Sequence, residues 1–405
     1  MLYTAAMIQS AQRIKNYHYA IRHVARAAEE LARTGRQITY LNIGDPQVYG
    51  FRPPEHLVEA VARAAKDGFT GYSQSAGLVE AREAIAKYAT DRGAPTNSDE
   101  VIVTSGASEA ADILLTALLD RADEVLVPGP GYPIYPAILS KIGSAARYYP
   151  LDVENDWQLS VDLIASMITS RTRAIVLINP NNPTGSIVPD ETVRHLLELA
   201  RQHNILVISD EVYRELCFTD SPTPASAIAE EMGVPLITLE SLSKTHLVPG
   251  WRVGWMRFTH AEQMRDLIPA IHQLAGGRLC SPTPTQYAVR PALEGDRVFQ
   301  KEFVKELKLR RDVAVKHVSN TPGLSCSVPR AAFYLMIKSD TLVGHSDEKF
   351  VLDLLHETGI LVVHGSGFGV DAQAGCFRMV YLAGQAMLDD VFDRLGRFLQ
   401  THRDQ

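Results

Sequence analysis

Cysteine is scarce: the four in 405 residues, Cys217, Cys280, Cys326 and Cys376, stand far apart and match no metal-ligand spacing. That usage excludes a disulfide framework and fits reduced thiols. Long hydrophobic runs are missing as well. No stretch reaches the ~18 apolar residues of a membrane-spanning helix, and the opening MLYTAAMIQSAQRIKNYHY lacks the continuous apolar core of a secretion signal. Charge of one sign is concentrated nowhere, because 40 Lys and Arg are interspersed with 47 Asp and Glu for a formal net charge of -7. Without a basic run there is no electrostatic footprint for nucleic acid or a membrane surface. The histidines show no metal-like spacing, so no metal site is expected. No internal repeat, low-complexity segment or Gly/Ser linker divides the chain. These absences leave a soluble, cytoplasmic globular protein as the expectation.

What is present is a rhythm. The chain is 46% hydrophobic, and its length allows two or more domains with a large core. Six short apolar runs punctuate the middle: VIVTSG (101–106), EVLVPG (124–129), AIVLINP (174–180), ILVISDE (205–211), PLITLES (235–241) and RVGWMRF (252–258). Apolar runs without alternation mark strands buried on both faces, as in a parallel sheet covered by helices. Helical patterns lie among them over Val58–Asp67, Leu78–Arg92, Glu109–Leu119 and Glu191–His203. This βα repetition predicts a doubly wound α/β domain.

The chain ends read differently. Residues 14–34 suit an amphipathic helix, with Ile21, Val24, Ala28 and Leu31 on one stripe and Gly35 as its stop. Beyond residue 300 come a helix, strand-like AAFYLMIK (331–338), a helix near 347–358, strand-like CFRMVYL (376–382) and a last helix to about His402. The expected division is an N-terminal helix and arm over 1–50, belonging to a small domain; a large domain over 51–299; and a small C-terminal α+β domain over 300–405.

Most of the buried runs end in polar or turn clusters: TSGAS, PGPGY, NPNNPTG, SDEVY and SLSK. Ligands of open α/β sheets bind at the carboxyl ends of the strands, so these clusters are expected to converge on one cleft. In SDEVY, Asp210 and Tyr213 admit two readings. They are an N-cap aspartate with a packing tyrosine, or a carboxylate that pairs with a cationic ring nitrogen beside a phenol that bonds a ring oxygen. In SLSK, Lys244 is either a surface lysine or an amine reached directly from a buried strand. In the second case low dielectric depresses its pKa and frees a neutral amine for imine chemistry. TSGASEA (104–110) runs from strand into helix, so the N–H groups of Gly106, Ala107 and Ser108 could cradle an anion. Ser241, Ser243 and Arg252 could add donors to the same phosphate.

In order along the chain, LNIGDP (41–46), GYSQSAGLVEAREAI (71–85), TSGASEA, PGPGYPIY (128–135), NPNNPTG (179–185), SDEVY, SLSK with PGWRVGW (241–255) and FRMVYLA (377–383) resemble the pyridoxal-phosphate-dependent aminotransferases of the aspartate aminotransferase fold family, class I/II. The resemblance spans nearly the whole chain. It implies the fold-type I architecture: a mostly parallel seven-stranded sheet flanked by helices, plus the smaller α+β domain built from both ends. It also implies roles. Lys244 would join the aldehyde of pyridoxal 5'-phosphate and move the α-proton. Asp210 would keep the pyridine nitrogen protonated, Tyr213 and Asn182 would bond the ring oxygen, and Tyr132 would stack on the ring. Gly106, Ala107, Ser108, Ser241, Ser243 and Arg252 would hold the phosphate. Tyr72 would reach the phosphate of the neighbouring subunit, making the active form a homodimer with shared sites. Arg378 would clamp the substrate α-carboxylate, with Gly44 and Asn182 lending donors.

Finer matches, RLCSPTPTQ (278–286), NDWQL (155–159), NIGDPQ (42–47) and Tyr-x-Ile-Arg at 19–22, are more similar to alanine (glutamate–pyruvate) aminotransferases than to aspartate or aromatic ones. The implied reaction is L-alanine + 2-oxoglutarate ⇌ pyruvate + L-glutamate, so the partners are amino acids and 2-oxo acids. Arg22 is the candidate cation for a second carboxylate, against its alternative as a solvated helix-surface arginine. Tyr19 would line the same wall or simply pack, and Arg278 is a further candidate. His364 in HGSGFG (364–369) stands where relatives carry proline, which is expected to alter a loop at the cleft edge without touching Arg378. The competing readings are an aspartate or aromatic aminotransferase, a C–S β-lyase of the same fold, and a regulatory protein that keeps the fold as a ligand sensor. A regulator of that kind usually carries a DNA-binding domain ahead of the fold, for which the N-terminal segment is expected to leave no room.

Overall fold

The structure is a computed structural model that describes residues 8–15 and 19–402. Its central element is a seven-stranded sheet. In spatial order the strands are Val101–Thr104, Gly254–Thr259, Leu236–Ser241, Leu206–Asp210, Thr172–Ile178, Glu124–Gly129 and Ala145–Pro150. Along the inner strands odd and even residues feed opposite cores. Val125, Val127, Val176, Ile208 and Ile237 pack under the helices Ala107–Leu118, Ile134–Ile142 and Leu267–Gly277. Leu126, Ile175, Leu177, Val207 and Leu236 pack under Asp190–His203 and Ala225–Met232. Both faces are covered, which is why these segments read as unbroken apolar runs. The six runs and four helical patterns expected from the sequence all form, with ends displaced by a few residues.

Two features depart from simple βα repetition. Ala145–Pro150 is a strand absent from the expected set; it lies at the sheet edge with several residues exposed, and so lacks a buried strand's apolar signature. Gly254–Thr259 runs antiparallel to both neighbours. Residues 242–253 hold only the short helix Leu242–Thr245 and a single turn, Pro249–Trp251. That leaves no helix long enough to cross back over the sheet face, and the chain doubles back beside the strand it has just left.

Both chain ends build a second layer. Val363–His364, Cys376–Val380, Tyr334–Ser339 and Leu324–Ser325 form a four-stranded antiparallel sheet, and Thr39–Tyr40 pairs in parallel with Ile360–Leu361. The long helix Val298–Asn320 begins two residues ahead of the expected division at 300. At the N-terminus the helix expected over 14–34 is instead a turn at Gln12–Lys15 and a helix at Ala20–Arg33, with residues 16–18 outside the described residues. Ile21, Val24 and Ala28 on its apolar stripe are buried against Phe368, Val380 and the rest of this second core.

Candidate active site

The carboxyl ends of the inner strands open into one cleft of two joined parts. The inner part is lined by Ala107, Ser108, Tyr132, Asn182, Asp210, Tyr213, Ser241, Ser243, Lys244 and Arg252. The outer part shares Ser108, Tyr132, Asn182, Tyr213, Lys244 and Arg252 and adds Tyr19, Arg22, Gly44, Tyr334 and Arg378.

Lys244 rides on the four-residue helix whose N-cap, Ser241, accepts a hydrogen bond from the Ser243 N–H. Its Nζ donates to the Gly44 carbonyl at 2.7 Å. Burial lowers its pKa to about 8; Arg252 and Arg378 push the same way, while Asp45 opposes. Asp210 ends its strand. Its Oδ2 accepts from the Tyr135 hydroxyl at 2.8 Å and its Oδ1 from the Val212 N–H at 3.3 Å. Burial raises its pKa to about 6, with both hydrogen bonds pulling back. Lys244 is therefore not a surface lysine, while Asp210 both accepts the Val212 N–H as a cap would and lines the cleft, which keeps its two readings open.

At the phosphate-sized end, Gly106 caps the helix Ala107–Leu118 with φ +80, and a Cβ there would overlap the Arg252 guanidinium. The Gly106 N–H donates to the Thr104 carbonyl at 2.7 Å, so it is not one of the cradle donors the sequence pattern implied. The helix-terminal N–H groups of Ala107 and Ser108 carry no hydrogen bond among the described residues and remain available to an anion. Arg252, itself left-handed at φ +55, spans the gap: Nη1 donates to the Pro249 carbonyl and Nη2 to that of Ser105, both at 2.9 Å.

Arg378 comes from an inner strand of the second layer, Cys376–Val380, and is buried. Nη2 bonds the Asn42 carbonyl, Nη1 donates to Asn182 Oδ1 at 3.2 Å, and Nε has no partner among the described residues. The rings of Tyr334 and Phe368 each lie 4.6 Å from its guanidinium carbon. Tyr19 donates to the Tyr132 hydroxyl at 3.1 Å, and Arg22 is exposed at the mouth.

Three candidates lie elsewhere. Tyr72 is 82% exposed and lines neither part of the cleft. Arg278 is held by Glu109 at 3.0 Å and by the Val103 carbonyl at 2.8 Å, also away from the cleft. His364 is buried, caps the turn Gly365–Phe368, and sits beside Phe377 on the short strand that pairs with the strand of Arg378. Tyr135 and Tyr334 went unremarked in the sequence. Tyr135 was visible within PGPGYPIY and Tyr334 within AAFYLMIK, yet their partners are 75 and 121 residues away. Among the described residues no His/Cys/Asp/Glu group could hold a metal ion.

A family profile described as aminotransferase class I and II matches residues 36–395. The chain belongs to that family, and its fold is that of the solved aminotransferases it superposes on. It is 34% identical to the glutamate–pyruvate aminotransferase AlaA of Haemophilus influenzae over 98% of this chain and 99% of that one. Identity to the alanine aminotransferase of Mycobacterium tuberculosis is 36%, over 98% of this chain and 94% of that one. Among solved structures, the alanine aminotransferase from Pyrococcus furiosus superposes with a TM-score of 0.92 at 39% identity, covering 97% of this chain and all of that one.

Proposed function

We propose that the protein is an alanine aminotransferase that carries pyridoxal 5'-phosphate on Lys244 and interconverts L-alanine and 2-oxoglutarate with pyruvate and L-glutamate. The observation that carries the reading is one continuous cleft in which a buried amine, Lys244, shares space with a buried carboxylate, Asp210, and a buried guanidinium, Arg378. The substrate choice draws on relatives named for alanine or glutamate–pyruvate transamination at 34–39% identity over nearly their full length.

The cofactor fits the donor set. The free N–H groups of Ala107 and Ser108, with Ser241, Ser243 and Arg252, suit its phosphate. Asp210, pushed up to about 6 by burial, suits a protonated ring nitrogen that would hold it ionised. Tyr213 and Asn182 suit the ring oxygen, and Tyr132 suits the ring face. When bound, pyridoxal phosphate supplies the electron sink that makes the α-hydrogen of an amino acid acidic.

The chain's own residues do the rest. Arg378 holds the α-carboxylate through two parallel N–H bonds and fixes the Cα–H bond toward Lys244. The Lys244 amine, neutral above about pH 8, would take the proton from the substrate α-carbon and hand it on to the cofactor. Tyr19, Tyr132 and Arg22 line the outer part of the cleft. There Arg22 swings in for the distal carboxylate of glutamate and away for the methyl group of alanine. Four free thiols accord with a reducing, cytoplasmic setting. The working form is a homodimer in which Tyr72 serves the neighbour's phosphate, and the chain divides at 50/51 and 299/300.

A screen of amino donors against 2-oxoglutarate and pyruvate tests the reading. Pyruvate formed from alanine only with 2-oxoglutarate present supports it; activity confined to aspartate or aromatic donors, or ammonia release without an acceptor, overturns it. Borohydride reduction followed by peptide mapping should leave the pyridoxyl label on Lys244.

A further inference from the structure

Tyr213 and Tyr334 meet hydroxyl to hydroxyl at 2.8 Å, with their rings edge to face at 80°. Either oxygen could donate. Neither hydroxyl has another hydrogen-bond partner among the described residues, and a buried O–H left unbonded is costly. Tyr213 lines the inner, cofactor end of the cleft, whereas Tyr334 lines only the outer part. Each hydroxyl borders part of the cleft, so either arrangement can use both protons; the one that serves a group at the inner end has Tyr334 donating to the Tyr213 oxygen and Tyr213 aiming its own O–H into the inner cleft. The Tyr334 hydroxyl also abuts the Gly44 backbone, where a Cβ would overlap it, and Gly44 holds the Lys244 amine through its carbonyl. The face of the same ring lies under the Arg378 guanidinium.

We propose that Tyr334 is a positioning residue that ties the phenol serving the cofactor to the arginine serving the carboxylate: its hydroxyl primes Tyr213 as a donor, and its ring supports Arg378. The inference rests on the cofactor reading above. An O–H that accepts a hydrogen bond becomes a better donor. Tyr213 so primed stabilises negative charge on the bound cofactor's ring oxygen, and that makes the neighbouring nitrogen less basic. The charged and titratable groups facing the pair are Asp210, Tyr132 and Arg378, with Lys244 across the Phe333 ring at 5.9 Å.

The test is a pH titration of the absorbance of bound pyridoxal phosphate, in the full-length protein, for wild type, Tyr334→Phe, Tyr213→Phe and the double variant. Tyr334→Phe should raise the chromophore pKa by about half a unit, and Tyr213→Phe by more. In the double variant the Tyr334 change should add nothing, because it acts only through Tyr213. A separate readout is the affinity for propionate, an unreactive carboxylate. Tyr334→Phe should leave it unchanged, and Tyr334→Leu, which deletes the ring under Arg378, should weaken it about threefold. An unmoved titration in Tyr334→Phe alongside a shifted Tyr213→Phe overturns the proposal, and so does a full shift that persists in the double variant. If neither variant moves the titration, or no pyridoxal phosphate binds, it is the underlying cofactor reading that fails. Should Tyr334→Phe not fold, Tyr334→His keeps a ring with a polar edge for the same comparison.

Discussion

Lys244 is an amine that the fold keeps neutral at a pH where free lysine is charged. Its folded pKa, about 8, lies below the ordinary 10.5 because burial disfavours the ammonium form. The sign follows from proton counting. Between about 8 and 10.5 the unfolded chain binds more protons at this position, so its contribution to apoprotein stability improves as pH rises through that window and is least favourable below it. The same shift governs reactivity, since only the neutral amine attacks an aldehyde. The rate at which apoprotein combines with pyridoxal phosphate should climb with pH and reach half its plateau near 8. A midpoint near 10.5 would mean that the amine is not buried. Arg378 invites a different substitution. Its guanidinium is clasped by Asn42 and Asn182 and framed by two rings, so a lysine there keeps the charge but loses the fork. Arg378→Lys should raise the KM for alanine roughly 10- to 100-fold, the equivalent of one charge-assisted hydrogen bond, as read from steady-state kinetics.

At the scale of elements, the cleft depends on how two strands end. The strand Val101–Thr104 turns into its helix through a left-handed glycine, and the strand Leu236–Ser241 stops in a one-turn helix that sends the chain back antiparallel. The first turn leaves two N–H groups free; the second brings Arg252 across to the Ser105 carbonyl in front of them. Gly106→Ala attacks that junction twice, by straining a φ of +80 and by pushing into the Arg252 guanidinium. The expected cost is about 1–3 kcal/mol of stability, read by denaturant unfolding of the apoprotein. Equilibrium binding should show roughly tenfold weaker affinity for pyridoxal phosphate as Arg252 is displaced. These elements also show where sequence reasoning reached and where it stopped. Buried strands and strand-end clusters are local signals, so Lys244, Asp210, Asn182 and the helix start at Ala107 could be located from a few neighbouring residues each. The edge strand Ala145–Pro150 has no such signal, because a half-exposed strand has no reason to be uniformly apolar. The misplaced donor was Gly106, whose N–H is consumed by a turn to Thr104 that the residue types alone do not specify. Tyr135 and Tyr334 acquire their roles only when segments far apart in the chain are brought together.

For the whole molecule the open question is what Tyr72 does. Within one chain it contributes to neither part of the cleft, and its ring is 82% exposed in a segment, GYSQSAG, that follows the helix Glu55–Lys66. A large aromatic left in water is unremarkable by itself, but Phe69, just ahead of this segment, is exposed as well, which favours a covered surface in the working assembly. If a second copy covers it, the molecule in solution has twice the 44.6 kDa chain mass, and each site draws on both copies. Hybrid formation separates that arrangement from a site complete within one chain. Lys244→Ala alone lacks the amine, and Tyr72→Ala alone should bind pyridoxal phosphate weakly. When the two variants are mixed and allowed to exchange subunits, one site of each hybrid pairs an intact Lys244 with an intact Tyr72 from the other copy, while the second site lacks both. Cofactor affinity at that one site should return to the wild-type value, with up to half of the hybrid's sites active. If Tyr72 instead served its own chain, every hybrid site would keep one of the two lesions, and mixing would restore nothing. The outcome is read by titrating pyridoxal phosphate into the mixture and measuring alanine-dependent turnover at limiting cofactor.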